Sequence, residues 1–180
     1  MIIKESSGSD LPALLKVEKQ AFGSKEGQVI VELVKNLMED PSARPLLSLV
    51  ALEDQQIKGH ILFTRAQISE HEKVPVSLLA PLAVEPSKQR KGLGGRLINE
   101  GMRLLLERGV ELVFVLGDPD YYRRHGFKPA GLQGYEAPYP LAEEIAEAWM
   151  VRELKQDRAG NIKGKILCAE SLNRPEYWQE

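Results

Sequence analysis

A glycine-rich turn between a strand pattern and a helix pattern constrains this chain most. It covers residues 89–96, follows the apolar run Leu78 to Val84, and precedes the helical pattern Leu97 to Leu106. In such a turn the free N–H groups point at a ligand from the positive end of the helix dipole. Three basic side chains add matching charge there: Lys88, Arg90 and Lys91. The turn therefore predicts a site for an anion, with phosphate the first candidate.

The remaining patterns predict an α/β chain. Two helical patterns come first, and the second ends before Asp40-Pro41. Three strand-like segments with short polar links then favour an antiparallel meander, namely 46–52, 57–68 and 74–84. The apolar run Val110 to Leu116 predicts a buried strand parallel to the one before the turn, because a helix connects them. A short helix capped by Asp118, a helix over about 141–148 and strands at 149–154 and 165–169 complete the prediction.

Composition narrows the class of protein. A length of 180 residues indicates one domain, and a net charge of −2 argues against a general nucleic-acid binder. No apolar stretch approaches the roughly 18 residues that a membrane span needs, and the N-terminus lacks the layout of a secretion signal. Cys168 is the only cysteine, which fits a reducing cytosol. We expect a cytoplasmic protein that binds neither nucleic acid nor membrane.

Two well-known phosphate-binding turns do not fit. A P-loop needs Gly-x-x-x-x-Gly-Lys-Ser/Thr, which the chain lacks. The dinucleotide turn needs a third small residue where Leu97 stands and an acidic residue where Phe114 stands. A third pattern, Gln/Arg-x-x-Gly-x-Gly/Ala, matches at every fixed position from Gln89 to Gly94.

With this motif, the chain resembles the GNAT superfamily of N-acetyltransferases. Pro81-Leu82-Ala83-Val84 and Tyr122-Arg123-Arg124-His125-Gly126-Phe127 match further family signatures in order and separation. The resemblance implies a mixed, mostly antiparallel sheet with a central parallel pair of splayed strands, flanked by helices. It covers nearly the whole chain, so we expect a single acetyltransferase domain over residues 1–180, with about 157–180 as a C-terminal extension. Pro81, which cannot donate a ladder hydrogen bond, itself predicts a bulge or a parting of strands.

The resemblance also implies acetyl-CoA as the acetyl donor and no metal. Backbone from about Arg90 to Gly95 would hold the pyrophosphate, and the strand before the turn would pair with pantetheine. The predicted cofactor-binding residues are Leu82, Ala83, Val84, Gln89, Arg90, Lys91, Gly92, Leu93, Gly94, Gly95 and Arg96. The alternative is a tight turn whose glycines serve packing alone. One family feature is missing, because Gly117-Asp118-Pro119 replaces the region where many members carry an asparagine and a longer helix.

Tyr122 is the predicted general acid. It stands four residues before Gly126, the position of the family's acid. A tyrosine is protonated at neutral pH and can donate a proton to the leaving thiolate. Tyr121 is the alternative if the short helix changes the register.

The general base is less defined. Glu85 follows the cofactor strand and is our candidate, with a surface salt bridge as the alternative interpretation. His60 and water remain open, and His125 is expected to be an exposed helix-end residue. Cys168 could in principle accept the acetyl group, but nothing near it in the sequence resembles an activating base.

Transfer to a primary amine by direct attack in a ternary complex is thus the expected reaction. The alternative is a non-catalytic acyl-CoA-binding or regulatory module. The acceptor, a small molecule or a peptide amine, is not specified by any motif. An acidic helix face, Glu143, Glu144 and Glu147, favours a solvated surface or a contact with a cationic acceptor. The tail could cover the acceptor site or pair with another subunit in a homodimer.

Overall fold

A mixed sheet forms the centre of the molecule. The computed structural model describes residues 1–156 and 161–179. Their strands are β1 (Ile2–Glu5), β2 (Leu47–Glu53), β3 (Gln56–Ile68), β4 (His71–Val84), β5 (Leu112–Leu116), β6 (Lys128–Pro129), β7 (Tyr135–Glu136), β8 (Trp149–Glu153) and β9 (Gly164–Leu167). The strand order is β1-β2-β3-β4-β5-β8-β6, and along this path only β4 and β5 run parallel. The predicted fold class, a mixed and mostly antiparallel sheet with a central parallel pair, is confirmed.

Helices cover both faces of this sheet. They are α1 (Leu11–Glu39), α2 (Leu93–Glu107) and α3 (Pro119–Arg123). Leu14 and Val34 of α1 pack with Val50 of β2, whereas Leu97 and Met102 of α2 belong to a different buried cluster. In the described chain no helix has the length and apolar character needed to cross a membrane.

The two helices predicted before residue 40 form one interrupted helix. Gly23 interrupts α1 with φ 84° and ψ 175°, a backbone conformation that residues other than glycine rarely adopt. The chain therefore changes direction between Phe22 and Lys25 without a loop. Residues on both sides of this break, Leu14 and Val34, reach the same buried cluster at Val50.

The prediction of an α-helix over about 141–148 is wrong, because this segment forms 3₁₀ turns. Glu143–Ala148 forms 3₁₀ turns with no side-chain cap and no buried residue, so little packing favours the longer α-helix hydrogen bonds. Beyond β9 the chain makes further 3₁₀ turns, at Glu170–Leu172 and Pro175–Trp178. Trp178 packs edge-on against Trp149 at 5.7 Å between ring centroids, which holds this C-terminal segment on the sheet.

Candidate active site

Strands β4 and β5 part in the middle of the sheet. They pair only from Val76 with Leu112 to Leu79 with Val115. Leu116 is opposite Trp149 of β8, and β4 continues beside β3 with a register shift around Ala80 and Pro81. Both responses predicted for Pro81, a bulge and a parting of strands, are therefore confirmed. Past Leu79, the β5-facing edge of β4 has no strand partner in the described chain.

A cavity of about 340 Å³ lies at this parting. The diverging strands form its walls, and side chains from α1, α3 and the C-terminal segment close it. Its lining includes Phe22, Ile30, Leu33, residues 78–82, residues 115–118, Tyr122, Leu172, Tyr177 and Trp178. The C-terminal segment thus forms part of the wall of this cavity.

Tyr122 is the buried phenol of this cavity. The side of its ring lies against Gly117, and the residue is only 8% exposed. Its hydroxyl makes no hydrogen bond with a described residue, so it is free to contact a ligand. Burial raises the pKa of Tyr122, and the nearby Tyr121 and Asp118 raise it further. The phenol therefore stays protonated at neutral pH.

Asp118 is the N-cap of α3, as predicted, and α3 carries Tyr122. Its Oδ1 accepts a hydrogen bond from the Asp120 N–H at 3.0 Å, and Pro119 occupies the first helical turn. Asp118 also lines the cavity, a role that the sequence analysis missed. The proximity of Asp118 to the Tyr122 motif was the available signal.

The glycine-rich turn forms an open start to α2. Arg90 and Gly92 adopt left-handed φ values of 62° and 84°, and α2 begins at Leu93 without a side-chain cap. Arg96 is the first residue of α2 whose N–H bonds back to the turn, at 3.1 Å to the Gly92 carbonyl. Within the described chain, the N–H groups of Leu93, Gly94 and Gly95 therefore have no backbone partner, which is the arrangement that binds anions.

Charge at the turn comes from two of the three predicted basic residues. Arg90 and Lys91 make no ion pair with a described residue, whereas Lys88 pairs with Glu53 at 2.6 Å. Arg96 reaches back to the Met1 carbonyl at 3.4 Å. The free positive charge thus lies in the turn itself.

Packing also requires the small residues of the turn. A side chain at Gly94 would overlap the Tyr121 hydroxyl, and one at Gly95 would meet the His125 ring. Gln89 donates from Nε2 to the Val84 carbonyl at 2.9 Å, which ties the turn to the end of β4. These contacts give Gln89, Gly94 and Gly95 a packing role, whereas a side chain at Gly92 would meet no atom within 4 Å.

Glu85 lies outside the cavity of Tyr122. It pairs with Lys58 at 3.1 Å and accepts a hydrogen bond from the Ser87 hydroxyl at 3.2 Å. The hydrogen bond from Lys58 is the main cause that lowers the pKa of Glu85. The carboxylate lines a separate surface groove beside Gly23. The salt bridge that the sequence left as an alternative is therefore present.

His60 lies in the core, away from the cavity lining. Its Nδ1 contacts the Glu18 carboxylate at 2.5 Å and its Nε2 contacts the Ser48 hydroxyl at 2.9 Å. Glu18 is fully buried, and its desolvation raises its pKa. Sequence patterns missed this pair, because 42 positions separate Glu18 from His60.

His125 and Cys168 also lie away from a reactive position. His125 is half-buried against Tyr121, with 4.9 Å between ring centroids, so the expectation of an exposed helix end is wrong. Burial raises the pKa of the Cys168 thiol to about 11, and Cys168 does not line the cavity. Within the described ranges, no three His, Cys, Asp or Glu side chains are grouped closely enough to hold a metal ion.

Comparison with known proteins identifies this architecture. Residues 3–130 match the family described as the Acetyltransferase (GNAT) domain. The chain is 47% identical over 165 residues to an uncharacterized N-acetyltransferase of Escherichia coli, YjhQ, covering 90% of this chain and 88% of YjhQ.

Two crystal structures share the fold over nearly the full length. The E. coli GNAT protein YhbS, in complex with CoA, has a TM-score of 0.86 and 29% identity, covering 96% of this chain and 92% of that one. A GNAT acetyltransferase from Brucella melitensis, in complex with acetyl-CoA, has a TM-score of 0.75 and 30% identity, with 95% and 97% covered. The splayed strands, the glycine-rich turn and these matches together show that the chain belongs to the GNAT acetyltransferase family.

Proposed function

We propose that the protein transfers an acetyl group from acetyl-CoA to a primary amine by direct attack in a ternary complex. The observation that carries this proposal is the buried Tyr122 phenol in the cavity between the parted strands. The complexes of YhbS with CoA and of the Brucella protein with acetyl-CoA support the choice of donor.

The donor would bind along the open edge of β4 and the start of α2. The free N–H groups of Leu93, Gly94 and Gly95, with the charges of Arg90 and Lys91, suit a pyrophosphate. On the β5 side, backbone groups around Leu82 and Ala83 face no other strand of the described residues. Pantetheine amides can pair with such an edge, as a peptide adds to a sheet. The acetyl group would then lie in the cavity beside Tyr122.

The chemistry needs a bond exchange and a proton donor. A neutral amine forms a bond from its nitrogen to the acetyl carbon while the carbon–sulfur bond breaks. The Tyr122 hydroxyl donates its proton to the departing sulfur. The nitrogen loses one proton to solvent, and solvent returns one proton to the Tyr122 phenolate. A phenol with a raised pKa suits this task, since it enters each cycle protonated.

We propose that water, rather than Glu85, takes the first proton from the ammonium form of the acceptor. Glu85 is held by Lys58, has a lowered pKa and lines a different groove from Tyr122. A carboxylate with these properties is a weak base at neutral pH.

Thiol release tests the proposal. The purified protein is incubated with acetyl-CoA and a pool of primary amines, and both free thiol and acetylated products are measured. We expect thiol release that depends on an added amine. Tight acetyl-CoA binding without amine-dependent thiol release would favour the non-catalytic module. An acetylated protein that forms without amine would contradict direct attack.

A further inference from the structure

A second, larger groove opens from the cavity of Tyr122. It has a volume of about 850 Å³. The two spaces share six lining residues, Phe22, Ile30, Leu116, Gly117, Asp118 and Tyr177. An acceptor that reaches the acetyl group beside Tyr122 can therefore extend into this groove without crossing another element.

The floor of the groove is apolar and its rim is acidic. Val29, Ile30 and Ile145 supply aliphatic surface, and Phe22 and Tyr177 supply two aromatic rings. Four carboxylates on the rim come from three separate elements, Glu26 of α1, Glu144 and Glu147 of the 3₁₀ turns before β8, and Glu176 of the C-terminal segment.

No ion pair with a described residue neutralises the negative charge of this rim. None of the four carboxylates forms an ion pair with a described residue. Asp118 adds a fifth carboxylate where groove and cavity meet, and Lys25 is the one cation among the described lining residues. Opposite charge on a ligand would be attracted to this rim, and a ligand carboxylate would be repelled.

From these features we propose that the acceptor is an amine with a second positive charge, separated from the reacting nitrogen by an apolar segment. The reacting amine enters the cavity of Tyr122, whose hydroxyl has no hydrogen-bond partner among the described residues. The apolar segment lies on the aliphatic and aromatic floor, and the second cation contacts the acidic rim. This inference rests on the proposed acetyl transfer and names the substrate class of the same site.

Three amines of equal chain length test the proposal: hexylamine, 1,6-diaminohexane and 6-aminohexanoate. Their affinities are measured by calorimetry on the protein saturated with CoA, which binds as the donor does but cannot react. We expect the diamine to bind about tenfold tighter than the aminohexanoate, with a difference that shrinks at high ionic strength. Hexylamine reports the contribution of the reacting amine and the apolar segment without a second charge.

A double variant and a matched control locate the charge effect. Glu144→Gln with Glu147→Gln should weaken diamine binding about fivefold and leave hexylamine unchanged, since exposed charge pairs contribute about 0.2–1 kcal/mol each. Glu143→Gln removes the same charge from the same turns but lies outside the groove lining, so it should leave both affinities unchanged.

Outcomes separate this inference from the proposed function. Equal affinity for the diamine and the aminohexanoate, no binding of the diamine, or the same effect from Glu143→Gln as from the double variant would overturn the acceptor class. Diamine binding that follows the rim charge, without amine-dependent thiol release from acetyl-CoA, would support the acceptor class and contradict acetyl transfer instead.

Discussion

The hydroxyl of Tyr121 occupies the space where a side chain of Gly94 would stand. Helix α3, which carries Tyr122, therefore packs directly on the start of α2, where the donor's pyrophosphate is proposed to bind. Any side chain at Gly94 therefore disturbs both the packing of α3 on α2 and the proposed pyrophosphate site. Loss of acetyl-CoA binding in a Gly94 variant would not show whether the anion site or the packing was responsible.

Gly92 offers a cleaner test of the anion site. A side chain at Gly92 would meet no atom within 4 Å, and asparagine and aspartate both tolerate its φ of 84° better than other residues do. We expect Gly92→Asp to bind acetyl-CoA about ten- to a hundredfold more weakly than Gly92→Asn, because only aspartate adds a negative charge. Calorimetric titration measures both. Equal affinities would remove the pyrophosphate from this turn.

Replacing Tyr122 or Tyr121 by phenylalanine tests which of the two donates the proton. We expect Tyr122→Phe to lower kcat about 10²- to 10⁴-fold with little change in acetyl-CoA affinity, as loss of a general acid does. Tyr121→Phe removes a hydroxyl that lies at Gly94 instead, so it should leave kcat within about threefold. Steady-state rates with saturating amine decide between them, and the reverse order would assign the acid to Tyr121.

The pH profile provides a second measurement on Tyr122. Burial raises its pKa above the ordinary 10.0, so the phenol stays protonated, and active as a donor, throughout the neutral and mildly alkaline range. The ratio of wild-type to Tyr122→Phe rates should therefore be constant from about pH 6.5 to about pH 9. A ratio that falls toward one within that range would indicate a phenol with a lowered pKa and contradict the buried environment.

Much of this fold could be predicted because its signals are local. The meander from β2 to β4 follows from short links between apolar runs, and the α3 cap follows from Asp118-Pro119. The strand parting follows from Pro81, since a residue without an N–H cannot donate a hydrogen bond to a neighbouring strand.

The remaining features depend on contacts between distant residues. Glu18 contacts His60 across 42 positions of sequence, and Phe22 of α1 lines the same cavity as Tyr177 of the C-terminal segment. No period or motif encodes such encounters. The salt bridge of Glu85 with Lys58 is a related case, because pairing of β3 with β4 brings the two together.

Replacement of Glu85 is expected to change kcat very little. If water accepts the amine proton, Glu85→Gln should change kcat less than about twofold, whereas loss of a general base lowers it about 10²- to 10⁴-fold. Lys58→Met breaks the same ion pair from the other side and should match it. Initial rates of thiol release at neutral pH measure both variants. A large loss in Glu85→Gln alone would restore Glu85 as the base.

Asp40 anchors the C-terminal segment that lines the cavity of Tyr122. Its Oδ2 accepts hydrogen bonds from the Ser171 N–H at 2.9 Å and the Ser171 hydroxyl at 2.7 Å, and its Oδ1 accepts two from Ser42. Burial acts to raise the pKa of this carboxyl, but the hydrogen bonds from Ser42 and Ser171 outweigh it and lower the pKa from 3.8 to about 2.

The lowered pKa sets the direction of a stability change with pH. Stabilisation by ionised Asp40 is complete well above pH 3.8 and is lost as the pH falls toward about 2. At neutral pH, Asp40→Asn should lower the free energy of unfolding by about 1–3 kcal/mol, because an amide group cannot accept at both positions. Asp54→Asn, at an exposed turn, should change it by less than about 0.5 kcal/mol. Denaturant unfolding from about pH 6 down to about pH 3 should show the Asp40→Asn difference shrinking. A difference that stays constant with pH would mean that the Asp40 charge does not hold this segment in place.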